Sequence, residues 1–385
     1  MIHITSKEGT HTISEIHQQP KMWLKEFDLI YQEKNSIETF LSKNNISKDA
    51  EIILTGAGTS AYIGNILTYI LPLKGYKNCK AVATTDLITH PDAFFSSEKN
   101  IVLVSFARSG NSPESLAAVE IVNKIAKKAL HIIITCNEMG ELVKNAQHDN
   151  SLILLLPPDT NDKSLAMTSS FTTMLVALLL LINVNKIEDQ LNKINAISVS
   201  AKNMLDKYAF LIEKIASLNF KRAVFLGSGE LKGIAEECQL KLQELTDGKV
   251  ICKFDSFLGF RHGPKAVINN ETLIVYLFST NEFVRQYEID LVKQINANNN
   301  VTAQIAISAG QSLKIERVKF DLELVMDHSF ETSGEYSFIP YVLIGQTLGY
   351  YKSLFLGLDP DNPSVSGNIS RVVEGVTIYN NYFLV

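Results

Sequence analysis

The chain has 385 residues, of which 46% are hydrophobic, and its formal net charge is −5. That length exceeds what one ordinary core organises, so two domains are expected, and the charge provides no basic field for nucleic acid. The four cysteines lie far apart without a CxxC pair, which argues against a disulfide framework or a zinc site and predicts a reducing compartment.

The most apolar run, MLVALLLLI at 174–182, is about half as long as a membrane span. The N-terminal residues show no signal-peptide pattern. Together these features predict a soluble cytoplasmic protein with no membrane partner.

From residue 51 onward, short apolar runs alternate with helical segments, which is typical of an α/β protein with a mostly parallel sheet. The predicted strands are EIILTGAG (51–58), NIVLVSF (100–106), LHIIITCN (130–137) and SLILLLP (151–157). The predicted helices cover 59–71, 112–126, 139–147 and 168–182. The polar, helix-prone interval Lys186–Ser217 is predicted to be a connector.

The same pattern begins again after this interval. The segment RAVFLGSGELKGIAEEC (222–238) resembles EIILTGAGTSAYIGNIL (51–67), and its two glycines, Gly227 and Gly229, occupy the places of Gly56 and Gly58. Later segments match at the same offset of about 170 residues. An internal duplication of one α/β unit therefore accounts for the length of the chain.

Residues 105–115, SFARSGNSPES, place four serines at the end of a predicted parallel strand, where ligands of such sheets bind. Ser112 is a predicted N-cap and Pro113 fits the first helical position, so the helix N-terminus favours an anion. Further hydrogen bonds can come from Ser109, Asn111, Ser112 and Ser115. The loop predicts a phosphate site, although a capped helix after a polar turn remains an alternative. The equivalent stretch of the second repeat, LFSTNEFVRQ, has fewer hydroxyls and no glycine, so the fold does not require this density.

A dinucleotide site is a second alternative, because GAGTSA at 56–61 fits G-x-G-x-x-[G/A] and Asp86 follows the next apolar stretch. Asp86 lies farther along than the usual ~20 residues, and the second repeat reads GSGELK, which breaks the pattern. We call residues 105–115 the serine loop. We therefore favour a reading in which Gly58, Thr59 and Ser60 form a second polar loop beside it.

Three motifs, GAGTS, SFARSGNSPES and AMTSSF, resemble the sugar-isomerase (SIS) domain. HQQPKMW, TCNEMG, YLFSTNEFVRQYEIDL and FRHGPK resemble the tagatose-6-phosphate aldose/ketose isomerases, also described as galactosamine-6-phosphate deaminase/isomerases. The resemblance covers nearly the whole chain and implies two tandem SIS domains, each a doubly wound, mostly parallel sheet flanked by helices, with no cofactor and no metal. We expect an N-terminal helical segment (1–47), the two SIS domains (48–200 and 201–357) and a C-terminal tail that reaches the active site (358–385).

The chain is also similar to the isomerase half of glucosamine-6-phosphate synthase, whose K-x-x-E and HGP motifs are matched by Lys241, Glu244 and His262 to Pro264. This resemblance implies that Glu244, with Lys241, transfers a proton, and that His262 opens the sugar ring from a neighbouring subunit. A homo-dimer or higher homo-oligomer would follow. By spacing alone, an ordinary surface pair is favoured for Lys241 and Glu244, and a solvated or capping residue is favoured for His262. Asp255 is the next candidate base.

Two positions depart from the synthase pattern. Arg371, in SVSGNISRVVEGVTI, stands where the synthase half has a lysine, so a Schiff base there is excluded but a charged contact with substrate is not. Arg108 stands where the synthase loop has a glutamine, and a guanidinium suits a phosphate well.

Too few residues precede position 50 for a glutaminase domain, so we expect ammonia to be released rather than incorporated. The predicted activity is a deaminating isomerisation of galactosamine 6-phosphate to tagatose 6-phosphate. A plain aldose/ketose isomerase, a glucosamine-6-phosphate deaminase and a non-catalytic sugar-phosphate sensor stay open as alternatives. Retention of both Glu244 and His262 argues against the sensor.

Overall fold

The computed structural model describes residues 9–46, 50–298, 300–373 and 375–379. Within these ranges ten strands form two five-stranded sheets. The first sheet contains β1 (Glu51–Thr55), β2 (Cys79–Ala81), β3 (Asn100–Ala107), β4 (Lys128–Thr135) and β5 (Ser151–Leu155). The second contains β6 (Arg222–Gly227), β7 (Ile251–Asp255), β8 (Thr272–Leu277), β9 (Ala303–Ala309) and β10 (Leu322–Met326).

The two sheets share one topology. The first has the order β2-β1-β3-β4-β5, and the second, taken from its β7 edge, has the order β7-β6-β8-β9-β10. Every strand pairing is parallel, and Leu54 lies opposite Val104 as Leu226 lies opposite Tyr276. The structure therefore confirms the predicted α/β class and two sheets of the same design.

Helices accompany both sheets. Those before and around the first sheet are α1 (Thr10–Gln32), α2 (Lys34–Lys43), α3 (Thr59–Leu67), α4 (Thr84–Thr89), α5 (Pro113–Ile125), α6 (Glu141–Lys144) and α7 (Ser169–Ile182). The remainder are α8 (Leu191–Ala216), α9 (Glu230–Leu245), α10 (Phe257–Phe260), α11 (Glu282–Asn298), α12 (Phe330–Ser333) and α13 (Leu343–Phe355). No single helix in the described ranges is long and apolar enough to cross a bilayer, but the pair Ser169–Ile182 and Val184–Ala216 passes that test together across a 118° bend.

Two predicted elements differ from the structure. The helix expected over 139–147 is reduced to the single turn of α6, because this stretch offers only Leu142 as a fully buried apolar side chain. The interval Lys186–Ser217, predicted as a helix-prone polar connector, is mainly the 26-residue helix α8, so its helical character is confirmed. The prediction did not foresee that Ile194, Ile197 and Ile212 form part of a fully buried face, which the overall polarity conceals.

The chain divides into two compact units. The unit that contains the first sheet is called the first unit, and it comprises the described parts of Lys25–Asn161, Thr173–Glu188 and Ile369–Val385. The second unit comprises the described parts of Met1–Leu24, Asp162–Thr172 and Asp189–Asn368, which contain the second sheet. The domain boundaries near residues 47, 200 and 357 stay a prediction.

Two buried histidines couple the stability of the fold to pH. Burial lowers the pKa of His131, on β4, to about 4, and burial also lowers the pKa of His328, which follows β10. His328 is held between the Ser200 hydroxyl (2.9 Å) and the Ser337 carbonyl (2.8 Å). Both rings therefore stay neutral in the folded chain at pH values where the unfolded chain is already protonated.

We expect the free energy of unfolding to fall as the pH drops below about 6.5, with His131 alone contributing up to about 3 kcal/mol as pH 4 is approached. Denaturant unfolding of the His131→Gln variant at pH 7.5 and pH 5 should show a smaller loss between these two pH values. His148→Gln, at an exposed position of the same unit, is the control and should keep the native pH slope. An unchanged slope in His131→Gln would contradict the assignment.

Candidate active site

The first polar loop follows β1 in the first unit. Gly58 has a positive φ of 53° directly before α3, and Thr59 and Ser60 are the first, buried residues of that helix. A Cβ at Gly56 would lie 2.6 Å from Ser60, so only glycine allows the strand end to approach the helix this closely. The glycines of GAGTS therefore place a helix N-terminus at the carboxyl edge of the sheet.

The serine loop follows β3, the neighbouring strand, so its residues lie at the same edge. Ser112 is the N-cap of α5 and Pro113 its first residue, as predicted, but the Ser112 hydroxyl donates to Ser115 Oγ (2.6 Å) and caps no backbone N–H. The Asn137 side chain donates to the Ser109 carbonyl (2.8 Å), and the backbone N–H of Glu141 donates to Asn111 Oδ1 (2.9 Å). The loop is thus held from outside by the segment TCNEMGE, and its helix terminus is not closed by its own serine.

Arg108 connects this loop to the C-terminal tail within the same unit. Its side chain is only 8% exposed, and the guanidinium donates to the backbone carbonyl of Arg371. The Arg371 guanidinium in turn donates to Asn161 Oδ1 (3.0 Å), in the segment that follows β5. The two arginines predicted from the sequence are therefore neighbours, although they are 263 positions apart in the chain.

The second unit contains a charged row on α9. Lys241 Nζ lies 2.6 Å from Glu244 Oε2 and 3.4 Å from Glu237 Oε1. The side chains of Lys241 and Glu237 are 1% and 0% exposed, whereas that of Glu244 is 23% exposed. The surface-pair alternative is therefore wrong, because the cation is buried and only Glu244 reaches solvent.

Glu237 was not predicted from the sequence. Its spacing to Lys241 is i,i+4, which places the three charged side chains of E-x-x-x-K-x-x-E along one face of α9. A fully buried ammonium normally requires a compensating negative charge. Here the buried carboxylate of Glu237 and the partly exposed carboxylate of Glu244 provide it. The geometry fixes the Glu244 carboxylate on a rigid helix with one oxygen held by a cation.

His262 lies in the irregular stretch between α10 and the turn Pro264–Val267, and it is exposed. Its backbone N–H donates to the Gly259 carbonyl (3.2 Å), while its ring makes no hydrogen bond to the described residues. Asp255, the alternative base, ends β7, and its Oδ1 accepts from the Ser256 N–H (2.8 Å). A Cβ at Gly259 would lie 2.6 Å from that same oxygen, so a glycine is needed at this turn.

Two buried carboxylates that the sequence analysis missed organise the AMTSSF segment in the second unit. Asp162 accepts the backbone N–H groups of Thr168 (2.9 Å), Ser169 (3.0 Å) and Ser170 (3.0 Å), together with the hydroxyls of Thr168 and Ser170. Glu15 accepts the N–H of Lys163 and the hydroxyl of Ser164. Burial raises the pKa of Glu15, and the negative charge of Asp162 adds to this effect.

Asp162 thus satisfies the free N–H groups at the start of α7, which explains why a run of hydroxyl residues can be fully buried there. In the sequence, the only indication of this capping role was an acidic residue, Asp162, a few positions before T-S-S, and such a spacing is weak evidence. No group of three or more His, Cys, Asp or Glu residues suited to a metal ion occurs in the described part of the chain.

Comparison with known proteins agrees with this architecture. The SIS domain family matches residues 45–184. The D-galactosamine-6-phosphate deaminase AgaS of Escherichia coli O157:H7 is 39% identical over 380 residues, covering 96% of each chain. The chain belongs to this SIS-domain family. The D-galactosamine-6-phosphate deaminase AgaS of Shewanella sp. (strain ANA-3) is 36% identical, covering 96% of this chain and 91% of its own.

Solved structures agree with the family assignment. The tagatose-6-phosphate ketose/aldose isomerase from Escherichia coli superimposes with a TM-score of 0.87 at 37% identity, covering 96% of both chains. The C-terminal domain of glucosamine-fructose-6-phosphate aminotransferase from Francisella tularensis has a TM-score of 0.77 at 20% identity and covers 91% of this chain and 98% of its own, a likeness of fold alone. The architecture of two SIS domains expected from the sequence is thereby confirmed.

Proposed function

We propose that this family member converts galactosamine 6-phosphate to tagatose 6-phosphate and ammonia. The observation that carries the proposal is the Lys241–Glu244 pair, in which a buried cation holds a partly exposed carboxylate at 2.6 Å. The full-length relatives named D-galactosamine-6-phosphate deaminase supply the substrate and the reaction. Incubation with galactosamine 6-phosphate, with ammonia and ketose phosphate measured together, tests it.

The chemistry requires one base that serves two carbons. After the ring opens, Glu244 takes the C2 proton and the electron pair of the C–H bond forms the C1–C2 double bond, while the π pair of the C1 carbonyl moves to its oxygen, which takes a proton to give an enolamine. Return of the proton to C1 leaves a ketimine at C2. Water then adds to C2, the C–N bond breaks, and ketose 6-phosphate and ammonia are released. The oxidation states balance without an external oxidant or reductant.

The roles of the other α9 residues follow from their burial. Lys241 holds the Glu244 carboxylate in one orientation through the 2.6 Å contact. Glu237 compensates the charge of the buried ammonium. His262 carries out ring opening, and its exposed position in the stretch after α10 leaves its ring open to a ligand. No cofactor enters any of these steps.

The phosphate of the substrate is assigned to the two polar loops of the first unit. The N-terminus of α5 offers backbone N–H groups, and Ser109, Asn111 and Ser112 add side-chain donors. Gly58, Thr59 and Ser60 extend the donor surface along the same edge. Arg108 and Arg371 bring positive charge to this edge and hold the tail against the serine loop.

Replacing both Ser109 and Ser112 by alanine is expected to raise KM for galactosamine 6-phosphate by at least about tenfold per hydroxyl, because hydrogen bonds to a charged group contribute ~1.5–3 kcal/mol each. The melting temperature should change little. The control double variant, Ser42→Ala with Ser97→Ala, removes exposed hydroxyls of the same unit outside both loops. An unaltered KM in the loop variant would contradict the assignment of the phosphate site to this loop.

A two-fold oligomer and a cytoplasmic location complete the proposal, and the exposed ring of His262 supports a site shared between subunits. Mixing the inactive Glu244→Gln and His262→Ala proteins under subunit exchange should restore part of the activity, because some sites then combine two intact residues. Each protein kept alone is the control. Complete absence of recovery after demonstrated exchange would place both residues in one subunit.

A plain aldose/ketose isomerase is the second candidate, favoured by the name of the Escherichia coli structural neighbour. That enzyme would act through an enediol and release no ammonia. The remaining alternative is a glucosamine-6-phosphate deaminase. Glucosamine 6-phosphate differs from the proposed substrate only at C4, so a parallel assay of ammonia release from both sugars distinguishes the two deaminases.

A further inference from the structure

A cavity of about 720 Å³ lies at the amino-terminal edge of the first sheet. Its wall includes the first residues of four strands, Glu51 of β1, Cys79 of β2, Asn100 of β3 and Lys128 of β4. The loops assigned to the substrate follow the opposite, carboxyl ends of β1 and β3. The cavity is therefore separate from the proposed phosphate site of the same unit, and the proposed reaction leaves it without a role.

The wall of this cavity is strongly basic in an acidic protein. Among the described residues it carries four lysines, Lys77, Lys80, Lys99 and Lys128, against a single acid, Glu51, whereas the whole chain has a net charge of −5. Lys99 and Lys80 lie 2.9 Å and 3.2 Å from the Glu51 carboxylate. Burial alone would raise the pKa of Glu51, but the hydrogen bonds from these two lysines outweigh it and lower the pKa. Glu51 therefore stays ionised and anchors two ammonium groups at the wall.

Neutral groups complete the lining. Four asparagines, Asn44, Asn45, Asn78 and Asn100, provide amide donors and acceptors, and the partly exposed Ile46, Ala50 and Cys79 provide a small apolar surface, whereas Ile101, Val102 and Leu130 are no more than 5% exposed. The volume lies within the ~300–1,000 Å³ typical of small-molecule sites. Excess positive charge beside an apolar surface suits a ligand with several phosphates and a flat organic group.

We propose that this cavity binds a nucleoside polyphosphate. The phosphates contact the lysines, which act as mobile point charges for phosphate oxygens, and the base packs on Ile46, Ala50 and the lysine stems. Lys77 and Lys128 are exposed and pair with no carboxylate among the described residues, and Lys128 makes only a long hydrogen bond to Asn44 Oδ1 (3.4 Å), so both ammonium groups can turn to the ligand.

Calorimetric titration with ATP, without Mg²⁺, tests the proposal. The native protein should bind one ATP per chain, and the double variant Lys77→Ala with Lys128→Ala should bind about tenfold more weakly or worse. The matched control, Lys124→Ala with Lys127→Ala, removes the same charge from exposed lysines near the same edge but outside the cavity wall. It should keep the native affinity.

Three results would overturn the proposal: no binding of ATP to the native protein, equal weakening in both lysine variants, or loss of binding in the Ser109→Ala with Ser112→Ala variant. The second would indicate general attraction of anions to a basic edge, and the third would place ATP in the substrate loop. Unchanged ATP affinity in the serine variant, together with no displacement by galactosamine 6-phosphate, supports a separate site. Neither result depends on the enzyme's activity.

Discussion

Replacing Glu244 by glutamine is expected to reduce kcat by at least the ~10²–10⁴-fold that lost general acid/base catalysis costs. Glutamine keeps the shape of the side chain and a hydrogen-bond acceptor for Lys241, but it cannot accept the C2 proton. Because we propose that substrate binding relies on the loops of the first unit, galactosamine 6-phosphate should still raise the melting temperature of the variant. A large fall in kcat with retained thermal protection separates a lost base from a lost site.

Glu236→Gln is the matched control for this experiment, because it changes a half-buried glutamate of the same helix that lies outside the charged row. Its kcat should stay close to that of the native protein. Near-native turnover in Glu244→Gln would return Lys241 and Glu244 to a structural role, and Asp255 would become the base to test.

Removing the buried cation should produce the largest change in stability. In Lys241→Met, the Glu237 carboxylate, which is fully buried, loses its charged partner, and breaking a buried pair in this way costs about 3–5 kcal/mol. An exposed pair of the same spacing would cost less than about 1 kcal/mol. Guanidinium unfolding monitored for the second unit distinguishes these values.

The double variant Lys241→Met with Glu237→Gln serves as the check on this explanation. Because it removes the uncompensated charge as well as the cation, it should regain a substantial part of the lost stability. A double variant that is less stable than Lys241→Met would show that packing of the lysine stem, and not charge compensation, dominates.

The sequence predicted the sheets well for a physical reason. Strands that are covered on both faces appear as continuous apolar runs, and the duplication displayed each run twice, so β1, β3, β4, β6 and β8 could be placed within a few residues. The same reasoning recognised α8 as helix-prone but missed its buried face, because a helix with one buried face and many lysines has the average polarity of a linker.

The candidate site was less accessible to sequence reasoning. Both loops could be predicted from hydroxyl residues and glycines at strand ends, because each loop is formed by residues that are consecutive in the sequence. The partners of Arg108 and of Glu15 are 263 and 148 positions away, and no periodicity encodes such contacts. Glu237 was within reach, because its spacing to Lys241 is helical, but its burial could only come from the tertiary structure.

The fate of the C2 hydrogen in D₂O tests the central claim most directly. Native protein and galactosamine 6-phosphate should yield ammonia and tagatose 6-phosphate in equal amounts, with deuterium at C1 of at least part of the product, because a carboxylate base exchanges its proton with solvent before returning it. Nuclear magnetic resonance of the product, with ammonia measured in the same sample, provides both values. Ammonia released without any new hydrogen at C1, or neither ammonia nor tagatose 6-phosphate formed from galactosamine 6-phosphate, would contradict the account.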